Sequence, residues 1–182
     1  MGAPTLKRVL GLGAAVLAAA VIVALALHGS RPDPSLARFE AAGVMLSIPP
    51  DTVTEVIVTQ GERRWRFERA DKSQTWTTAP GSSSGESLGT RIESGLRFLH
   101  ASAPQRVLQP EETTGIAPSE FGLAPPRFSV FVRSSTAEPF SIEFGALNPQ
   151  GLAQYAHVLG RPQILLLPSF VGEPWVALIG SL

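Results

Sequence analysis

The side chains able to do acid-base, nucleophilic or metal chemistry are sparse in this 182-residue chain: it has three histidines, no cysteine and 15 acidic residues. His28, His100 and His157 are the candidate bases or ligands. No two of them stand at a local metal-binding spacing, so a zinc site would need carboxylates from distant parts of the chain. The lack of cysteine excludes a disulfide scaffold and a thiolate metal site. His28 ends an apolar run and reads as an interfacial residue. His100 closes an amphipathic stretch and reads as a partner of a helix C-terminus. His157 alternates with Tyr155 and Leu159 and reads as a packed, hydrogen-bonded strand residue.

The other candidates are equally isolated. Gly81-Ser82-Ser83-Ser84-Gly85 reads as a loop and helix cap; a nucleophile elbow needs a turn between strand and helix with acid and histidine partners downstream. Glu111 and Glu112 could exchange protons in a reaction only if burial raised one of them, and adjacent loop carboxylates read instead as a solvated face. Gly11-x-Gly13 lies inside the apolar run, where small residues ease helix packing rather than cradle phosphate. A nucleophile, base and electrophilic stabiliser cannot be assembled from this set, so no enzymatic role, cofactor or metal is expected. The remaining candidates are cations: Arg64, Arg66 and Arg69 are expected on the solvent face of a strand, where they would meet anionic lipid or an acidic partner.

The strongest signal in the chain concerns location. Residues 9–27 carry no charge and are rich in Ala, Val and Leu, long enough to cross about 30 Å of hydrocarbon as a helix. Lys7 and Arg8 precede the run, so the N-terminus is expected in the cytoplasm and the remainder in a bacterial periplasm, attached to the inner membrane. The alternative is a cleaved export signal with a small-x-small pattern at Ala24-Leu25-Ala26. Within the run, Ala15 and Ala19, with Gly11 and Gly13, would permit close approach of a neighbouring helix. The expected division is a cytoplasmic N-terminus at 1–8, a transmembrane helix at 9–28, a juxtamembrane connector at 29–48 and an extracytoplasmic domain at 49–182. Setting aside Lys7 and Arg8 leaves 13 basic residues against 15 acidic, which gives no electrostatic case for nucleic acid.

The elements that must carry the candidates follow from periodicity. Residues 53–59 are β-branched, with Val56 and Val58 on one face and Glu55 and Ile57 on the other. After a turn at 60–62, Trp65 and Phe67 alternate with Arg64, Arg66 and Glu68, predicting a hairpin with one buried face. A third short strand is expected at 75–78 around Trp76. Ser83 and Glu86 form a possible capping box, after which Leu88, Ile92, Leu96 and Leu99 make one apolar helical stripe. Strands are expected at 103–108 with Val107 inward, around Phe128, Val130 and Val132, around Phe140, Ile142 and Phe144, and at 155–159 and 163–167. The tail 170–182 is expected to be a short helix or strand. The predicted class is α+β: a transmembrane helix, then a mainly antiparallel sheet with one amphipathic helix packed on it.

The succession of the 53–59 strand, the Trp65 hairpin, the Trp76 strand, a helix ending in Leu96-x-x-Leu99, Phe121-Gly122-Leu123-x-x-Pro126, Phe144-Gly145, Tyr155-x-x-Val158 and Ile164-Leu165-Leu166-Leu167-Pro168 resembles an uncharacterised extracytoplasmic domain. That domain occurs in bacterial envelope proteins, some of them auxiliary to gliding-motility-type ABC transporters. The resemblance covers about residues 49–170. It implies a membrane-attached α+β module, often in more than one copy, with no established catalytic residues. This chain has room for one copy and a shortened C-terminal helix after Pro168. Together these readings predict a non-catalytic accessory or assembly subunit of an envelope membrane complex. Its expected partners are an integral membrane assembly, such as a transporter, and membrane lipid. The alternative is an exported binding module for a small envelope ligand such as a glycan or lipid fragment, using Trp65, Phe67, Trp76 or Tyr155.

Overall fold

A computed structural model describes residues 43–69, 75–78, 82–83 and 86–182, together with the single residue Ala19. The chain divides into two units, Met1–Glu40 and Ala41–Leu182, and the fold below is that of the second. The sheet runs β1 (Val53–Gln60), β2 (Arg63–Glu68), β3 (Thr77–Thr78), β4 (Ser82–Ser83), β5 (Arg106–Leu108), β6 (Phe128–Ser134), β7 (Phe140–Leu147), β8 (Ala153–Val158) and β9 (Ile164–Pro168). In space the order is β4-β3-β2-β1-β6-β7-β8-β9-β5, and every neighbouring pair is antiparallel. Among the described residues two α-helices accompany it, α1 (Glu86–Ala101) and α2 (Glu173–Ile179).

The register explains why one face is apolar. Val56 lies opposite Phe67 on one side and Val132 on the other. Val130 continues the row to Ile142, Ile142 to Val158, and Ala156 to Leu165. Because side chains alternate between faces, these residues all point one way. They form one core with Ile92, Leu96 and Leu99 of α1 and Trp175 and Leu178 of α2. The helices meet closely: a Cβ at Gly95 would lie 2.5 Å from the Trp175 indole, so only glycine lets that ring lie on α1. Residues 43–48 also belong to the core through Val44, Met45 and Ile48. They fasten to the end of α1 by the Met45 N–H donating to the Leu99 carbonyl at 3.0 Å.

The expected architecture requires correction. Two helices, not one, pack with the antiparallel sheet, and among the described residues no helix is long and apolar enough to cross a membrane. The expected transmembrane span at 9–28, with Ala15, lies outside the described residues except for Ala19, which is helical and exposed. The second helix escaped because its seven residues offer too short a window for a 3.6-residue period. Pro174 near its start and the buried pair Trp175 and Leu178, three residues apart, are its only local signs. The hairpin, the α1 stripe and the alternation of β6 and β7 follow the sequence reading. Trp76 is buried just before β3 rather than within it, and Val107 is exposed because β5 is the edge of the sheet.

Candidate functional site

The face of the sheet turned away from the helices carries the cations. Gly61, at φ 56°, makes the tight β1-β2 turn, and the resulting register sets Arg66 opposite Ile57 and Arg64 opposite Thr59. On the other side of β1, Arg133 of β6 lies opposite Glu55. The Glu55 carboxylate, with a side chain only 7% exposed, is bridged by Arg66 Nε and Arg133 Nε, each at 2.7 Å, and Arg66 also reaches Glu68 at 2.7 Å. A carboxylate withdrawn from water persists only where such partners replace hydration. Both arginines keep more than half of their side-chain surface in solvent. Arg64 is exposed and makes no ion pair with any described residue. The result is an ordered charged stripe across β2, β1 and β6 with Ile57 buried and Phe131 half-buried between the cations.

Arg69 does not join this stripe. It is buried, pairs with Glu93 of α1 at 2.7 Å, donates from Nε to the Val53 carbonyl and from its terminal nitrogen to the Pro50 carbonyl. Its guanidinium also lies 4.9 Å from the Trp76 ring centroid, and the Trp76 Nε1–H donates to the same Glu93 oxygen at 2.8 Å. The alternation already carried this information. Position 69 falls in phase with Trp65 and Phe67, hence on the core side, whereas Arg64 and Arg66 fall in the opposite phase.

Farther along the same face, the long connection between β5 and β6 packs over the strands. Two 3-10 turns, Pro110–Thr113 and Pro118–Phe121, shape it. Gly122, at φ 68°, follows the second turn, and a Cβ there would collide with the Ala146 backbone. Gly145 in turn admits the Phe121 carbonyl, at the irregularity in β7-β8 pairing. Phe121 meets Tyr155 edge-on, with ring centroids 5.1 Å apart. Beside them opens a cleft of about 410 Å³ lined by Ile116, Phe121, Leu123, Ile164, Glu143 and His157, among others. His157 Nε2 donates to the Arg161 carbonyl at 2.8 Å, and Nδ1 faces Glu143 Oε2 at 3.2 Å. Both ring nitrogens therefore face acceptors, an arrangement for a polar anchor in an apolar wall rather than for a free base.

The remaining candidates are placed as follows. His100 Nδ1 lies 3.2 Å from the Met45 carbonyl at the end of α1. His28 lies outside the described residues. Ser82 and Ser83 form β4, and the side chains of the proposed cap are outside what is described. Glu112 accepts the Gln109 backbone N–H at 2.9 Å and pairs with Arg106 at 2.6 Å. Those two contacts, the backbone bond first, hold its pKa below the ordinary carboxylate value, the reverse of what a proton donor needs. Among the described residues no group of three or more His, Asp or Glu is placed to hold a metal.

Glu112 supplies a pH test. Its folded pKa lies below the unfolded one, so its contribution to stability is complete above the unfolded value and disappears as pH falls through the folded value. Arg106→Gln should move the Glu112 midpoint upward in a carboxyl NMR titration. An unchanged midpoint would refute the part assigned to Arg106 and leave the Gln109 backbone bond as the cause. Comparisons with known proteins return no matching family model, no matching curated protein and no matching solved structure.

Proposed function

We propose that the chain is a non-catalytic accessory or assembly subunit of a bacterial envelope membrane complex. In this reading residues 9–27 hold it at the inner membrane and the domain meets its partner in the periplasm. The observation that carries the proposal is the charged stripe over β2, β1 and β6. Arg66 and Arg133 are fixed by the buried Glu55 yet remain solvent-exposed, and Arg64 adds a cation with no ion pair among the described residues. Side chains held in place lose little freedom on association, and opposed charge selects and steers a partner. An acidic protein surface fits the stripe. The succession of elements that resembles the envelope domain family supports the same assignment.

The test is crosslinking in intact cells followed by gentle solubilisation. The variant Arg64→Glu, which breaks no ion pair among the described residues, should lose a partner that the parent chain retains at fixed stoichiometry, while its thermal unfolding midpoint stays that of the parent. Retention of the partner by the variant sinks the assignment of the stripe, and recovery of the parent chain without any partner sinks the subunit reading. A second reading, an exported module for a small envelope ligand, is favoured by the apolar cleft with its His157 and Glu143 anchor. In that reading Ile164→Trp, which fills the cleft, would abolish ligand retention and spare partner retention.

A further inference from the structure

We propose that the end of the sheet where β7 finishes and β8 begins rests on the lipid bilayer, so that the domain lies against the membrane rather than standing away from it. Five large apolar side chains are exposed there. Phe98 of α1 meets Phe170 edge-on, with ring centroids 5.3 Å apart. Leu152 is 69% exposed, and its carbonyl accepts the Ser169 N–H beside Phe170. Leu147 and Val176 line a groove of about 380 Å³ together with Ser169, Gly172, Arg127 and Glu173. These contacts make one apolar surface from α1 across the 169–172 turn to α2, the kind of patch that marks a lipid or protein contact. The alkyl and aromatic tips would enter the interface between headgroups and acyl chains. Arg127, exposed in the lining of the groove, suits a phosphate headgroup, with Glu173 the acidic group beside it.

The occupant follows from where the chain arrives. Gly43 stands so close to the His100 carbonyl that any side chain would collide with it, and the Met45 N–H bonds to the Leu99 carbonyl. The chain thus joins the domain at the last turn of α1, the turn that also presents Phe98. Upstream, the apolar run ends at Leu27, and residues 28–42 can extend no more than about 50 Å. A bilayer holding residues 9–27 is therefore always within reach of this end, at a high effective concentration that turns weak apolar contact into docking. The inference rests on the reading that residues 9–27 hold the chain at a membrane.

The chain has no cysteine, so single cysteines report local environment without interference. Leu152→Cys, Val176→Cys and, at the opposite end of β7, Ser135→Cys are each labelled with an environment-sensitive nitrobenzoxadiazole dye. The full-length protein is then reconstituted in phosphatidylethanolamine and phosphatidylglycerol vesicles. Emission from positions 152 and 176 should shift to shorter wavelength and be quenched by spin-labelled lipid, with position 135 unaffected. No shift at 152 and 176 overturns the proposal, as does an equal shift at all three positions. A shift that requires added envelope proteins assigns the patch to a protein and overturns it too. Flotation of the same vesicles separates the premises: chain that fails to float refutes membrane attachment, whereas floating chain without the shift refutes only the docking. Unchanged circular dichroism of the labelled chains confirms that each has folded.

Discussion

Arg69→Met should lower the unfolding free energy by about 3–5 kcal/mol, the range for removing one partner of a buried ion pair. The magnitude follows from what Arg69 joins. Its guanidinium ties the end of β2 to the carbonyls of Pro50 and Val53 and to Glu93 on α1, and it covers the Trp76 ring. Without it, Glu93 loses its cation, although Trp76 Nε1 still donates to the carboxylate, the Val53 carbonyl loses the Arg69 Nε donor, and the Pro50 carbonyl keeps only the Val53 N–H. Arg64→Met, on the exposed side of the same strand, should change stability by no more than about 0.5 kcal/mol. Urea unfolding of the two variants decides the matter. A loss below about 1 kcal/mol for Arg69→Met would show that Trp76 and solvent satisfy Glu93 without a cation, and would refute the cost assigned to the pair.

The contact between the helices should produce the second large effect and an unusual pattern of coupling. Trp175→Ala removes a fully buried indole from the core and should cost about 3–5 kcal/mol. Gly95→Ala sets a methyl 2.5 Å from that indole, and overpacking of this kind costs about 1–3 kcal/mol. Once the indole is gone, the same methyl has space, and alanine is favoured over glycine in a helix by up to about 1 kcal/mol. Gly95→Ala should therefore destabilise the parent and stabilise Trp175→Ala, a reversal of sign in the double-mutant cycle. Additive losses would mean that the methyl strains something other than Trp175.

The legibility of this chain varied with length of element and with phase. Residues of β1, β2, β6 and β7 alternate over enough positions for both faces to be read, and the spacing of Leu88, Ile92, Leu96 and Leu99 spans about three turns of α1, so the core follows directly. Helix α2 is two turns long and its apolar residues also fit a strand. Strands β3 and β5 have two and three residues, below what alternation can distinguish. At the candidate site, Arg64 and Arg66 are legible from their alternation with Trp65 and Phe67, whereas Arg69 shares the parity of Phe67 and lies on the core face, against the expectation that it joins them in solvent. Arg133 was missed because its bridge to Arg66 through Glu55 depends on β6 pairing with β1, an adjacency across 78 residues that no local pattern announces. The cleft was likewise invisible, since it depends on Gly122 and Gly145 letting two backbones touch.

The short outer strands restrict how this domain can associate. The sheet ends in β4, with two residues, and in β5, with three. A full-length strand at either margin would offer a long row of unpaired amides and carbonyls, a template for another chain to add itself by backbone hydrogen bonding. At the β5 margin, Arg106, Val107 and Leu108 cover Leu166, Leu165 and Ile164 of β9 and present a single repeat of that ladder. Self-propagating addition of strands, the route to fibrils, is therefore blunted at that margin, and recognition there is left to side chains rather than to the backbone.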